Sequence, residues 1–220
     1  DSQKQNLEDD IALVKLEIDE WKNQKEAEPS RSDKVEKHRV LLKEKNIPYI
    51  EFYNAVDFKS NLTNDKRGRL ESALLDMGIL DALIVPNEYK NQIEKLDTNY
   101  TDKYLFPNPK EFKHDLSSLL DVKLGTECTI KTETVYDILK SIMIEERDTD
   151  TFVNEEGEYR IGIAQGYADK EENAKYIGSE ARKEYKKNKI TELEEKKKVL
   201  NDELQNIDNK IILINENINK

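Results

Sequence analysis

Asp148-Thr149-Asp150 has the acid spacing that best suits chemistry in this chain. Two carboxylates one residue apart, just before a strand, can share a divalent ion as in metal-dependent nucleases, provided the fold adds a further acid. The plainer reading is a solvated turn, because a chain with 47 Asp and Glu among 220 residues produces such pairs without any function. His38 and His114 stand far apart in sequence, and with the single Cys128 they do not make a His/Cys zinc set. His38 lies in a charged helix and reads as solvated. No Gly-x-x-x-x-Gly-Lys-Ser/Thr loop is present. Gly157, Gly162 and Gly166 have the wrong spacing for a nucleotide and fall in strand or turn context. No catalytic residue, no metal site and no cofactor is therefore expected in this chain.

The cations offer a different chemistry. Arg182, Lys183, Lys186, Lys187 and Lys189 form one basic run, and Lys34, Lys37, Arg39, Lys43 and Lys45 form another. Cations clustered in this way can contact DNA phosphates with a salt-dependent affinity. They also suit the solvated face of an exposed helix. Gly162 and Gly166 alternate with Ile161 and Ile163 in a stretch that reads as one last strand, Tyr159 to Gly166. Glycine in a strand marks either a bulge or the close approach of another backbone, here a second copy of the domain. Ile161, Gly162, Ile163 and Gly166 are the candidate dimer interface.

The elements that must position these residues divide into two arms and an insert. Near the C-terminus Ile190, Leu193, Leu200, Leu204, Ile207, Ile211, Ile214 and Ile218 recur at steps of three, four and seven, with Lys197 in the row. Leu7, Ile11, Val14, Ile18 and Trp21 repeat the spacing near the N-terminus. Such a seam must pair with another helix. We expect the two arms to pair antiparallel within one chain, with Trp21 against the Leu193–Leu204 stretch and Leu193, Leu200 and Leu204 as arm packing residues. The expected fold is thus a compact α/β (α+β) domain inserted between two helices of an antiparallel coiled coil. Its expected domains are an N-terminal arm over 1–46 broken near Pro29, a mixed domain over 47–168, and a C-terminal arm over 169–220.

Within the insert, Tyr49–Phe52, Ala82–Val85 and Lys103–Phe106 read as short strands. Leu70–Met77 and Val135–Met143 carry helical faces, and Glu88–Leu96 reads as a short helix. Leu116, Leu119 and Leu120 suggest a helical turn or two. Thr151–Val153 and Tyr159–Ala164 flank Glu155-Glu156-Gly157 as a hairpin. Ser32 or Asp33 should cap a helix ending near Asn46, and from about Lys170 the chain reads as helix. Mixed order of this kind indicates a small sheet with helices around it.

The acidity belongs to the insert, which holds 14 Lys and Arg against 23 Asp and Glu, a net −9, whereas the arms together carry a net −2. A field of that sign repels phosphate backbones, so DNA would require a local basic patch. The single cysteine suits a reducing, cytoplasmic setting, and neither a membrane-spanning run nor a signal pattern is present. Because the first residue is Asp1, the chain is expected to be a fragment of a longer one.

Several ordered blocks carry a family resemblance. They are Trp21, Glu28-Pro29 and Arg31, then Ile47-Pro48-Tyr49, Ala55-Val56-Asp57-Phe58, Leu74-Leu75-Asp76-Met77-Gly78-Ile79-Leu80-Asp81-Ala82-Leu83-Ile84-Val85-Pro86, and Tyr176-Ile177-Gly178-Ser179-Glu180-Ala181-Arg182. Together they resemble the central region of the SMC-like, MukB-like ATPase subunits of bacterial Wadjet plasmid-defence systems. The resemblance covers roughly residues 21–193 and includes no catalytic motif. It implies a dimerising hinge in a chain whose distant ends form an ATP-binding head. ATP and Mg²⁺ are then expected only for heads absent from this sequence. The implied partners are a second copy through the hinge, and kleisin, accessory and nuclease subunits for the full-length protein; DNA at the arm roots rests on the two basic runs instead. Two other classes remain open on residues alone: a coiled-coil adaptor presenting a protein-binding domain, and a nuclease using Asp148 and Asp150.

Overall fold

The structure is a computed structural model that describes residues 2–96, 102–111, 114–145 and 149–218. It divides into an arm unit, residues 1–27 with 183–220, and a compact unit, residues 28–182.

The arm unit contains α1 (Ser2–Asn23) and the greater part of α7 (Ser179–Ile218). Ile11, Val14 and Ile18 are the buried positions of α1. Val14 and Ile18 pack with Leu193, flanked by Trp21 and Leu200. Lys4 pairs with Asp208 at 2.7 Å and Lys22 with Glu194 at 3.1 Å, so numbers rise on one helix as they fall on the other. The helices are antiparallel, as expected of two arms joined by an insert that returns the chain to where it left.

The compact unit opens with α2 (Asp33–Glu44), whose N-cap Ser32 accepts from the Val35 amide. Three small sheets follow. β1 (Ile50–Glu51) pairs antiparallel with β3 (Leu83–Ile84), which pairs parallel with β4 (Tyr104–Leu105). Between β1 and β3 come α3 (Phe52–Ala55), β2 (Val56–Phe58) and α4 (Asn64–Asp76). β2 pairs antiparallel with β5 (Leu120–Val122). The third sheet holds β6 (Thr151–Val153), β7 (Glu158–Ile161) and β8 (Ala164–Tyr167), all antiparallel in that order. α5 (Lys90–Glu94) and α6 (Thr132–Leu139) complete the helices.

Two apolar clusters explain why β3 reads as an unbroken apolar run. Ile84 faces the main core with Phe52, Leu70, Leu74, Leu80, Leu120 and Leu139, while Leu83 faces a second cluster with Leu42, Ile47, Val85 and Ile93. A strand covered on both faces loses its alternation. Leu42 also shows that α2, expected as part of the arm, packs within the compact unit.

Four expectations need correction. The helix expected from about Lys170 begins at Ser179. Residues 170–178 instead form an irregular strap, because the buried Glu71 carboxylate of α4 accepts from the main-chain N–H groups of Lys175, Tyr176 and Ile177 at 2.6–3.2 Å. Main-chain donors with a better partner do not enter a helix. The turn expected at Leu116–Leu120 is helical only over Leu116–Ser118, after which β5 begins. The helical face expected to reach Met143 stops at Leu139; Ile142 and Met143 remain buried, with Met143 bridging to Asp115 and Phe152. The strand expected over Tyr159–Gly166 is two strands, because a turn at Gly162-Ile163 folds β8 back on β7.

Candidate functional site

The β6-β7-β8 sheet has one open side. Met143 bonds β6, its amide donating to Thr151 O and its carbonyl accepting from the Val153 amide, which closes that edge. β8 is terminal in the sheet and pairs only with β7 among the described residues. Ala164, Gln165 and Tyr167 of β8 are exposed. The two-residue turn makes Ile161–Ala164 the bonded pair that closes the hairpin, and antiparallel alternation then turns the N–H groups of Gln165 and Tyr167 outward. Glycine opens the turn with φ +57°, a left-handed conformation that side chains rarely adopt. Ile163 follows it at the tip, fully exposed.

Side chains rigidify this hairpin. Arg160 donates to Gln165 at 2.9 Å, and the Tyr167 hydroxyl donates to Glu158 at 2.7 Å. That hydroxyl, with the Asn154 amide, holds the Glu158 carboxyl below its ordinary pKa. The candidates Ile161, Gly162, Ile163 and Gly166 therefore share one hairpin, but not in the way the alternation suggested. Gly162 and Ile163 are the turn, and Gly166 leaves space for a ring of its own chain. A Cβ at Gly166 would sit 2.8 Å from the Tyr159 hydroxyl oxygen. A terminal strand of this kind can add a strand from a partner.

The basic candidates fare unequally. Arg182 is 8% exposed, donates to the Tyr176 carbonyl at 2.8 Å and lies over the Tyr53 ring. It belongs to the interior and offers nothing to a phosphate. Arg39, in the other run, is buried against Asp81 and Asp102. Lys186 donates to the Gln24 carbonyl, and Lys189 lies 3.7 Å from Glu192. Lys183 and Lys187 are exposed. Among the arm packing residues, Trp21 stands edge-on to Tyr185 at 5.5 Å and flanks Leu193 with Leu200, and Leu204 is half-buried.

His38, read as solvated, is 3% exposed. Its Nε2 meets the Tyr104 hydroxyl, and burial pushes its pKa down. Sequence reasoning also missed a charged cavity of ≈ 330 Å³ at the start of α2, lined by Arg31, Arg39, Asp81, Asp102 and Lys103 among others. Its arginines are committed: Arg31 binds both Asp81 oxygens at 2.8 Å, and Arg39 spans Asp81 and Asp102. Of the carboxylate pair, Asp148 lies outside the described residues and Asp150 is exposed. Among the described residues no three His, Cys, Asp or Glu side chains come together to hold a metal ion, and no helix is long and apolar enough to cross a membrane.

No protein-family model matches the sequence, and no curated protein matches it. Solved structures similar to the chain include two SMC hinge domains. One is an asymmetric dimer of the Geobacillus stearothermophilus SMC hinge domain, at 10% identity and TM-score 0.43, over 96% of this chain and 94% of that one. The other is the Pyrococcus furiosus Smc hinge domain with an extended coiled coil, at 14% identity and TM-score 0.43, over 99% of this chain and 83% of that one.

Proposed function

We propose that this chain is the hinge and homodimerisation module of an SMC-like, DNA-translocating ATPase acting against plasmid DNA, with no catalytic activity of its own. The observation that carries the reading is topological. Residues 28–182 form a compact α/β unit, and the helices that flank them in sequence pair antiparallel with each other. The chain thus leaves and returns along one coiled coil, as a hinge must. The sequence blocks ending at Tyr176–Arg182 supply the narrower assignment to a plasmid-defence ATPase of the cytoplasm. ATP and Mg²⁺ would serve heads outside this sequence, as would the kleisin, accessory and nuclease partners.

The self-association surface is the outer edge of β8. Two copies related by a twofold can pair there, with Ile161 and Ile163 at the flank. Sedimentation equilibrium of the full chain should give a concentration-dependent dimer. Gln165→Pro removes an outward N–H, and with it the Arg160–Gln165 bond but no main-chain bond of the β7 ladder, and should give a folded monomer. A wild-type chain that stays monomeric at every attainable concentration supports the adaptor instead. A Gln165→Pro dimer of unchanged affinity moves the interface off β8.

A further inference from the structure

Tyr53, on α3, touches both the beginning and the end of the compact unit. Arg31, three residues after that unit begins at Glu28, donates to the Tyr53 hydroxyl at 3.2 Å. Arg182, its last residue, lies over the Tyr53 ring with Cζ 5.8 Å from the centroid. Tyr176 approaches the same ring edge-on at 6.2 Å, and its carbonyl accepts from Arg182. All three partners converge on one side chain that is itself buried.

Each end has other anchors, which keep it folded while Tyr53 links it to the opposite end. Arg31 is bidentate to Asp81 and also pairs with Glu28. The strap before Arg182 is held by Glu71, and Ile177 is fully buried. None of these anchors touches both ends; the Tyr53 ring does. Close-packed interiors pass a displacement from one neighbour to the next, and groups sharing a partner are energetically coupled.

We propose that Tyr53 is a mechanical tie that couples the entry segment, residues 28–36, to the exit segment, residues 175–182, so that loosening one loosens the other. The hydroxyl holds the entry and the ring face holds the exit. The tie stands whether or not the chain self-associates.

Amide hydrogen exchange on the full chain tests it, because each segment has its own reporters. At the entry these are the amides of Val35 and Glu36, both bonded to Ser32. At the exit they are Tyr176 and Ile177, bonded to Glu71, and Arg182, bonded to the Gly178 carbonyl. Arg31→Ala should speed exchange at the exit reporters by about three- to tenfold, the size expected when one partner of a shared contact is lost. In a Tyr53→Phe background, which keeps the ring and removes the hydroxyl, Arg31→Ala should leave the exit reporters unchanged. Tyr53→Leu should loosen both segments. Exit reporters indifferent to Arg31→Ala would overturn the tie, as would an equal response in the Tyr53→Phe chain. The conservative Phe variant keeps the test decisive even where Leu unfolds the unit.

Discussion

His38 lies on α2 against the Tyr104 hydroxyl, with Asp102 and Arg39 as its nearest charges. Burial lowers its pKa most; Asp102 opposes the shift and Arg39 adds to it. The folded imidazole therefore titrates below the ordinary value of about 6.5. A group whose folded pKa is depressed contributes stability above its unfolded pKa and loses it as pH falls through the folded one. The compact unit should thus lose stability below about pH 6.5 beyond what its carboxylates account for. His38→Gln, which keeps a partner for Tyr104, should flatten that part of the curve. Urea midpoints of both proteins at several pH values would check this, and parallel curves would refute it. His38 and Arg182 were misread for one reason. Each sits among charged neighbours in sequence, and its burial is decided by Tyr104 and Asp102, or by Tyr53 and Tyr176, which lie far away in the chain.

At the scale of elements, the arm helices rest on few contacts. The described seam consists of Val14, Ile18 and Leu193, with Trp21 and Leu200 at its margin and the Trp21 indole edge-on to Tyr185 at 88°. Trp21→Ala removes the largest of these side chains and should cost the arm pairing about 2 kcal/mol, less than a fully buried Trp because the residue is only partly buried. In a melt followed by circular dichroism, helix should be lost earlier than in the wild type while the compact unit melts unchanged. A single transition shifted as a whole would contradict this. Long periodic helices and the doubly covered β3 were legible in sequence, since a repeated spacing survives any tertiary context. β2, β5 and the fold-back of β8 were not. Strands of two to four residues fall below the window in which alternation can be counted. The strap at 170–178 misled for a different reason: its Lys and Glu favour a helix, and a single carboxylate, Glu71, supplies the competing bonds. The β8 edge was half legible, because the glycines marked the right hairpin but the turn between them hid its register.

For the whole molecule, charge limits what DNA binding can be. The chain carries a net charge of −11, and its basic runs are smaller than they look. Arg39 and Arg182 are buried, and Lys186 and Lys189 have partners of their own. Lys183 and Lys187 are the exposed cations of this run, and Lys34, Lys37, Lys43 and Lys45 of the other run are exposed as well. Each phosphate neutralised adds about 0.9 to the slope of log affinity against log salt. If DNA is held by the run at Lys183 and Lys187 alone, with two such contacts per chain and two chains in a dimer, the slope should be no steeper than about −4. DNA would then be held weakly at physiological salt, with the acidic compact unit working against it. Lys183→Glu with Lys187→Glu should abolish binding through this run, whereas Arg182→Gln should act on folding instead, through the loss of its Tyr53 and Tyr176 contacts. Fluorescence anisotropy with a short duplex between low and physiological salt measures all of this. A slope well beyond −4, or binding that survives the double reversal, would place the DNA contact on other cations of the chain.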